Sequence, residues 1–207
     1  MKKISLSTGL ALAVLLTVLL MATFGQGSFT VHMIVHIGIV ALAAPLIAHG
    51  LSGTRHDPLP QTGWITPLTA SLAELAVVWF WHVPALRFAA DASLFLSLIE
   101  QVSFLIAGLL LWLACFRPAE GRLSGTVGLL FTSMHMTLLG VLLALAPRPL
   151  YGKGDVTCFG MPLPAAADQQ TGGVVLLMVG AAASLLGGIV LLAGLLREAI
   201  PAEEPRC

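Results

Sequence analysis

The stretch Val31-His32-Met33-Ile34-Val35-His36 opens a run that continues, almost wholly apolar, from Ile37 to Leu51. A helix crosses a bilayer with about 20 mostly apolar residues, so this run reads as a membrane span. Two histidines four residues apart share one helical face, one turn above the other. They sit where the span enters the membrane, with the Met33 thioether beside them. That pattern raises the expectation of a metal port.

Composition extends the membrane reading to the whole chain. Of its 207 residues, 57% are hydrophobic and 10% are charged. Mean hydropathy is +0.96. Soluble domains carry about a quarter charged residues, so lipid must be the solvent for most of this surface. A formal net charge of zero argues against nucleic acid as a partner. Cys115, Cys158 and Cys207 form no CxxC motif, which excludes a disulfide framework and a zinc or thioredoxin-like motif.

Six spans follow from the apolar runs: residues 4–24, 29–51, 64–86, 93–116, 123–146 and 171–196. The expected fold is an all-α bundle of about six transmembrane helices. Residues 1–28 form a first transmembrane helix or a signal sequence, since Lys2 and Lys3 precede an apolar core. Residues 29–196 form the polytopic domain, and residues 197–207 a polar cytoplasmic tail. Pro45 should kink the second span by removing a donor and crowding the preceding turn. The Pro- and Gly-rich stretch 147–170 reads as the longest loop. Lys2, Lys3, Arg55, Arg117, Arg122, Arg197 and Arg206 fall on one side, against Arg87, Arg148 and Lys153 on the other. The excess of basic residues marks the cytoplasmic side, so N-in/C-in is expected.

This topology sorts the polar residues by depth. His32, His36, His82 and Glu100 lie toward the outer side, Asp168 and Gln169 lie at the outer mouth of the sixth span, and Glu74, His135 and Met136 lie deeper. Charged groups in the hydrocarbon are costly, usually face the bundle interior and mark function. Imidazole suits copper, zinc and iron, and a thioether selects Cu(I). Each residue also has a simpler role open to it. A buried histidine can bond a neighbouring helix, Met33, Met134 and Met136 can be packing, and Trp79 and Trp81 suit an interfacial belt. Cys158 and Met161 in the outer loop are further soft donors.

Several motifs occur in fixed order: His32-Met33-x-x-His36, Ala44-Pro45-Leu46 and Gly50, Trp81-His82-x-Pro84, Glu100 ahead of Phe104 and Gly108 to Trp112, His135-Met136 with Gly140, Pro149-Leu150-Tyr151, and Asp168-Gln169 with Gly172-Gly173. The set resembles the multi-spanning cytochrome c oxidase assembly factor family of the polytopic CtaG type, over roughly residues 31–196. The resemblance implies a non-enzymatic membrane protein that matures haem–copper oxidases by handling or delivering copper, with Cu(I) favoured. It implies a metal set of His32, Met33, His36, His82, Glu100, His135 and Met136, with Gln101, Asp168 and Gln169 around it. The implied partners are the oxidase catalytic subunit and periplasmic copper chaperones, and the implied place is the bacterial inner membrane. Two features depart from the family pattern. Gln101 stands where members often carry a histidine, and the chain has six spans where members often have an additional helix.

The residues also admit other functions. Bis-histidine haem would need His36 facing His82, or His82 facing His135. A copper or proton transporter would use Glu74 and Glu100, although no internal repeat is visible. A scaffold would need only interhelical hydrogen bonds.

Overall fold

The computed structural model describes residues 2–59, 64–117, 121–152 and 154–199. Lys153 and the tail from residue 200 onward, with Arg206 and Cys207, lie outside the described residues. Among the described residues there are seven helices: α1 (Lys2–Thr23), α2 (Phe29–Leu51), α3 (Pro67–Trp81), α4 (Pro84–Ala92), α5 (Leu94–Cys115), α6 (Gly121–Ala144) and α7 (Ala165–Arg197). Among the described residues, five helices are long and apolar enough to cross a membrane, or six if the pair α3–α4 is one broken span. This is the all-α membrane bundle expected from the apolar runs.

Two expectations are corrected, and the setting of Pro45 is made specific. The stretch 64–86 is not one straight span: α3 ends at Trp81, and α4 departs at 71°. Val83 is extended ahead of Pro84, because the proline ring disfavours helical geometry in the residue before it. Pro45 lies within one continuous span, Phe29–Leu51, with an irregular turn just before it. The turn before it, Gly38–Ala43, widens to a π-helix, and the helix resumes at Ala44 with Pro45 in its first turn. There the missing N–H and the ring are tolerated. Finally, α7 begins at Ala165, six residues earlier than expected, and an antiparallel hairpin of β1 (Asp155–Cys158) and β2 (Met161–Pro164) precedes it. Asp168 and Gln169 therefore lie inside a helix and not in a loop.

The long helices run alternately between the two ends of the bundle, and α4 lies at one of them. One end of the bundle gathers Lys2, Lys3, Arg55, Arg117, Arg122 and Arg197. There Lys2 donates to the Ser52 carbonyl at 2.6 Å. Arg117 donates to the Leu59 carbonyl at 2.6 Å. The other end gathers the start of α2, the α3–α4 corner, the start of α5 and the hairpin. The helices approach closely where side chains are small. A Cβ on Gly50 would meet the Leu6 backbone, and one on Gly173 would meet the backbones of Ala144 and Gly140. Small residues at crossings are how membrane helices gain packing contact without a hydrophobic drive. The main apolar core joins Met33, Ile37, Val78, Phe104, Met136, Leu143 and Leu176 from five helices.

Candidate metal-handling site

α2 carries the first donors, and its start is fixed from outside. Ser28 caps the helix. Asp168 of α7 then takes the orphan donors: the Phe29 N–H at 2.5 Å, the Thr30 N–H at 3.2 Å and the Ser28 hydroxyl at 2.9 Å. A carboxylate at a helix N-terminus satisfies unpaired amides and meets the positive end of the helix dipole. Asp168 thus anchors the helix that bears His32 and His36 and does not itself face the cluster. Gln169 works next to it. Its carbonyl accepts from the Leu150 and Tyr151 amides at 2.6 and 3.3 Å, and its amide donates to the Leu143 carbonyl at 3.1 Å.

That bracing seats Tyr151. Its ring stacks on Phe29 at 4.5 Å, and its hydroxyl donates to the His82 carbonyl at 2.6 Å. Burial pushes the Tyr151 phenol up to about 12, so it remains a donor. His82 closes the C-terminus of α3. Its Nδ1 is 2.7 Å from the Val78 carbonyl, which can only accept, so Nδ1 carries the proton. In the neutral ring Nε2 then keeps its lone pair, and it lies 3.5 Å from the Met33 sulfur. A thioether is also a lone-pair group. Two electron-pair donors therefore face each other in a buried place.

His32, His36 and His82 meet there. Ring centroids are 6.3 Å apart for His32–His36, 5.9 Å for His32–His82 and 5.6 Å for His36–His82. The first two rings stack at 15°, an arrangement the four-residue spacing allows. His36 is fully buried against Phe104 at 3.9 Å, and neither ring nitrogen has a hydrogen-bond partner among the described residues. Glu100 of α5 approaches His32 Nε2 at 3.7 Å through Oε1, and its Oε2 accepts from Arg87 at 2.6 Å.

The remaining candidates separate. His135 of α6 faces Glu74 of α3 at 3.8 Å, and Thr132 donates to Glu74 at 3.0 Å. Both His135 nitrogens and Glu74 Oε1 lack hydrogen-bond partners among the described residues. Met136 packs in the apolar core with Met33 and Val78. Gln101 is buried beside Glu100, its amide atoms unpartnered among the described residues. Met134 is 71% exposed on the lipid-facing side, as filler would be. Cys158 and Met161 stand opposite each other in the hairpin. Among the described residues, no three His, Cys, Asp or Glu side chains form a ready metal cage. The set that converges is mixed: three imidazoles, one thioether and one carboxylate.

The sequence profile of the cytochrome c oxidase caa3 assembly factors matches residues 1–198. The chain belongs to that family. No curated relative and no solved structure matches it. Family membership gives the expected setting, maturation of a cytochrome c oxidase, to a polar cluster that is otherwise hard to account for in an apolar bundle. Two of its residues escaped the reading from sequence. Arg87 looked like a charge in a short link, but it is buried and central. The signal available was Asp91 four residues later, the spacing of an intrahelical ion pair. Tyr151, the chain's single tyrosine, lay in the expected loop, and no local pattern tied it to His82.

Proposed function

We propose that this assembly factor handles Cu(I) for a haem–copper oxidase through His36, His82 and Met33, with His32 and Glu100 completing the site. The observation that carries the reading is the His82–Met33 pair. An imidazole oriented through Nδ1–H to a backbone carbonyl is the arrangement metal-bound histidines use, and here the free nitrogen faces a soft sulfur. Imidazole with thioether selects Cu(I) over hard cations.

The chain's residues divide the work. Val78 orients His82 through its carbonyl. Tyr151 steadies the same turn, and Asp168 holds the start of α2 so that His32 and His36 present one face. Glu100 supplies negative charge for an incoming cation. By the excess of lysine and arginine, the basic end faces the cytoplasm, so the cluster receives copper from the outer side of a bacterial inner membrane. A periplasmic copper chaperone would supply the ion, and the oxidase catalytic subunit would take it.

The test measures Cu(I) bound by purified protein in competition with a chromophoric chelator. His36→Ala and His82→Ala should lose the ion, and Met33→Leu, which keeps the packing, should weaken it. Equal copper content in wild type and all three variants would sink the assignment. In cells lacking the protein, added copper should partly restore oxidase activity.

A further inference from the structure

Arg87 is the cluster member that the copper reading leaves without a task. It lies on α4, the short helix set at 71° to α3, with a side chain only 4% exposed. Its guanidinium binds three groups. Nη1 donates to Glu100 Oε2 at 2.6 Å and to His32 Nδ1 at 3.0 Å, while Nε and Nη2 donate to the Asp91 carboxylate.

A guanidinium has donors and no acceptor. His32 Nδ1 must therefore lend Arg87 its lone pair, and the ring proton sits on Nε2, the nitrogen 3.7 Å from Glu100 Oε1. Neither nitrogen is then open to a metal: Nδ1 is used by Arg87, and Nε2 carries the proton. Moving the proton to Nδ1 would free Nε2, but it would aim one N–H at another. By either route, His32 becomes a ligand only when Arg87 leaves.

Space and charge for that departure are at hand. A cavity of about 270 Å³ opens beside the pair and is lined by His32, Arg87, Asp91, Ser28, Phe24 and Ser97. The Asp91 side chain is 42% exposed, so it can keep hold of the guanidinium nearer to solvent. Glu100 would exchange one cation for another and stay balanced, which matters because a buried charge without a partner is costly.

We infer that Arg87 withholds His32 from the metal, and that a Cu(I) ion taking His32 as a ligand displaces the guanidinium toward Asp91 and the cavity. This rests on the copper reading above. It makes Arg87 a positioning residue: it sets when His32 is available and does not touch the ion.

The experiment labels the full chain in lipid nanodiscs with an arginine-directed dicarbonyl reagent, with and without Cu(I), and reads the Arg87 peptide by mass spectrometry. A hydrogen bond to a charged group is worth enough that its loss should raise labelling of Arg87 about tenfold on Cu(I) binding. His32→Ala should abolish that copper dependence. In parallel, Arg87→Gln should tighten Cu(I) binding about tenfold in the wild-type background and leave it unchanged in the His32→Ala background. If the wild-type chain takes up Cu(I) while Arg87 labelling stays constant, the role of Arg87 is overturned and the copper site stands. If the wild-type chain takes up no Cu(I), both fall. The labelling arm needs no Arg87 variant, so poor folding of Arg87→Gln leaves the inference open to refutation.

Discussion

Helices α1 and α2 are almost equally apolar and are used in opposite ways. Over the most apolar 18-residue stretch of each, mean hydropathies are 2.3 and 2.2, yet 17% of that stretch is buried in α1 against 78% in α2. α1 lies on the outside and touches its neighbours through a narrow stripe with Gly9, Leu16 and Leu20. α2 runs through the bundle, packed against α1, α5 and α7. The difference teaches that hydropathy measures fitness for lipid and says nothing about whether lipid or protein covers the helix. The histidines belong to the covered helix, where a polar group can be aimed and kept from water.

That contrast can be broken first at its anchor. Asp168→Ala would leave two backbone amides and a hydroxyl unpaired at the start of α2, and should cost about 2–4 kcal/mol. The readout is a lowered Tm in detergent, with loss of Cu(I) binding as α2 loosens. Asp168→Asn should recover part of both, and an unchanged Tm for Asp168→Ala would refute the anchoring role.

Matched truncations sharpen it next. Ile37→Ala on α2, at 1% exposure, should cost about 1–3 kcal/mol, the packing part of a core truncation, since lipid offers no transfer term. Tyr151→Phe removes one hydrogen bond from the turn at His82 and should cost about 0.5–1.5 kcal/mol while the stacking on Phe29 survives. Leu15→Ala on α1, at 63% exposure, should change stability by less than about 0.5 kcal/mol. Reversible unfolding in mixed micelles ranks these three. If Leu15→Ala proved as costly as Ile37→Ala, α1 would be part of the core and the contrast would be wrong.

The spans were legible wherever apolar runs were long, as in α5 and α6, whose limits fall within about two residues of expectation, the usual uncertainty of helix ends. They were illegible where polarity was satisfied by distant partners. Asp168 and Gln169 read as loop because their composition is polar, but α7 absorbs them by giving their side chains to α2, Leu143 and the Leu150–Tyr151 turn. The bend after Trp81 was written in Pro84, yet the apolar run on both sides hid it. Within the site, His32 and His36 were legible because helical periodicity is local. Their meeting with His82 and Met33, and the separation of His135 toward Glu74 and Thr132, depended on which helices pack together.

The sequence by itself determined the solvent, the apolar runs that become α1, α2, α5, α6 and α7, the shared face of His32 and His36, and the gathering of basic charge at one end. These follow from composition and from the 3.6-residue turn, which need no knowledge of neighbours. Only the tertiary structure decided that α2 is central and α1 peripheral, that His82 turns its free nitrogen to Met33, and that Arg87 occupies His32. Those depend on side chains 49 and 55 residues apart in the chain. Such pairings are set by helix packing and by the need to partner every buried polar group, and no local pattern encodes them.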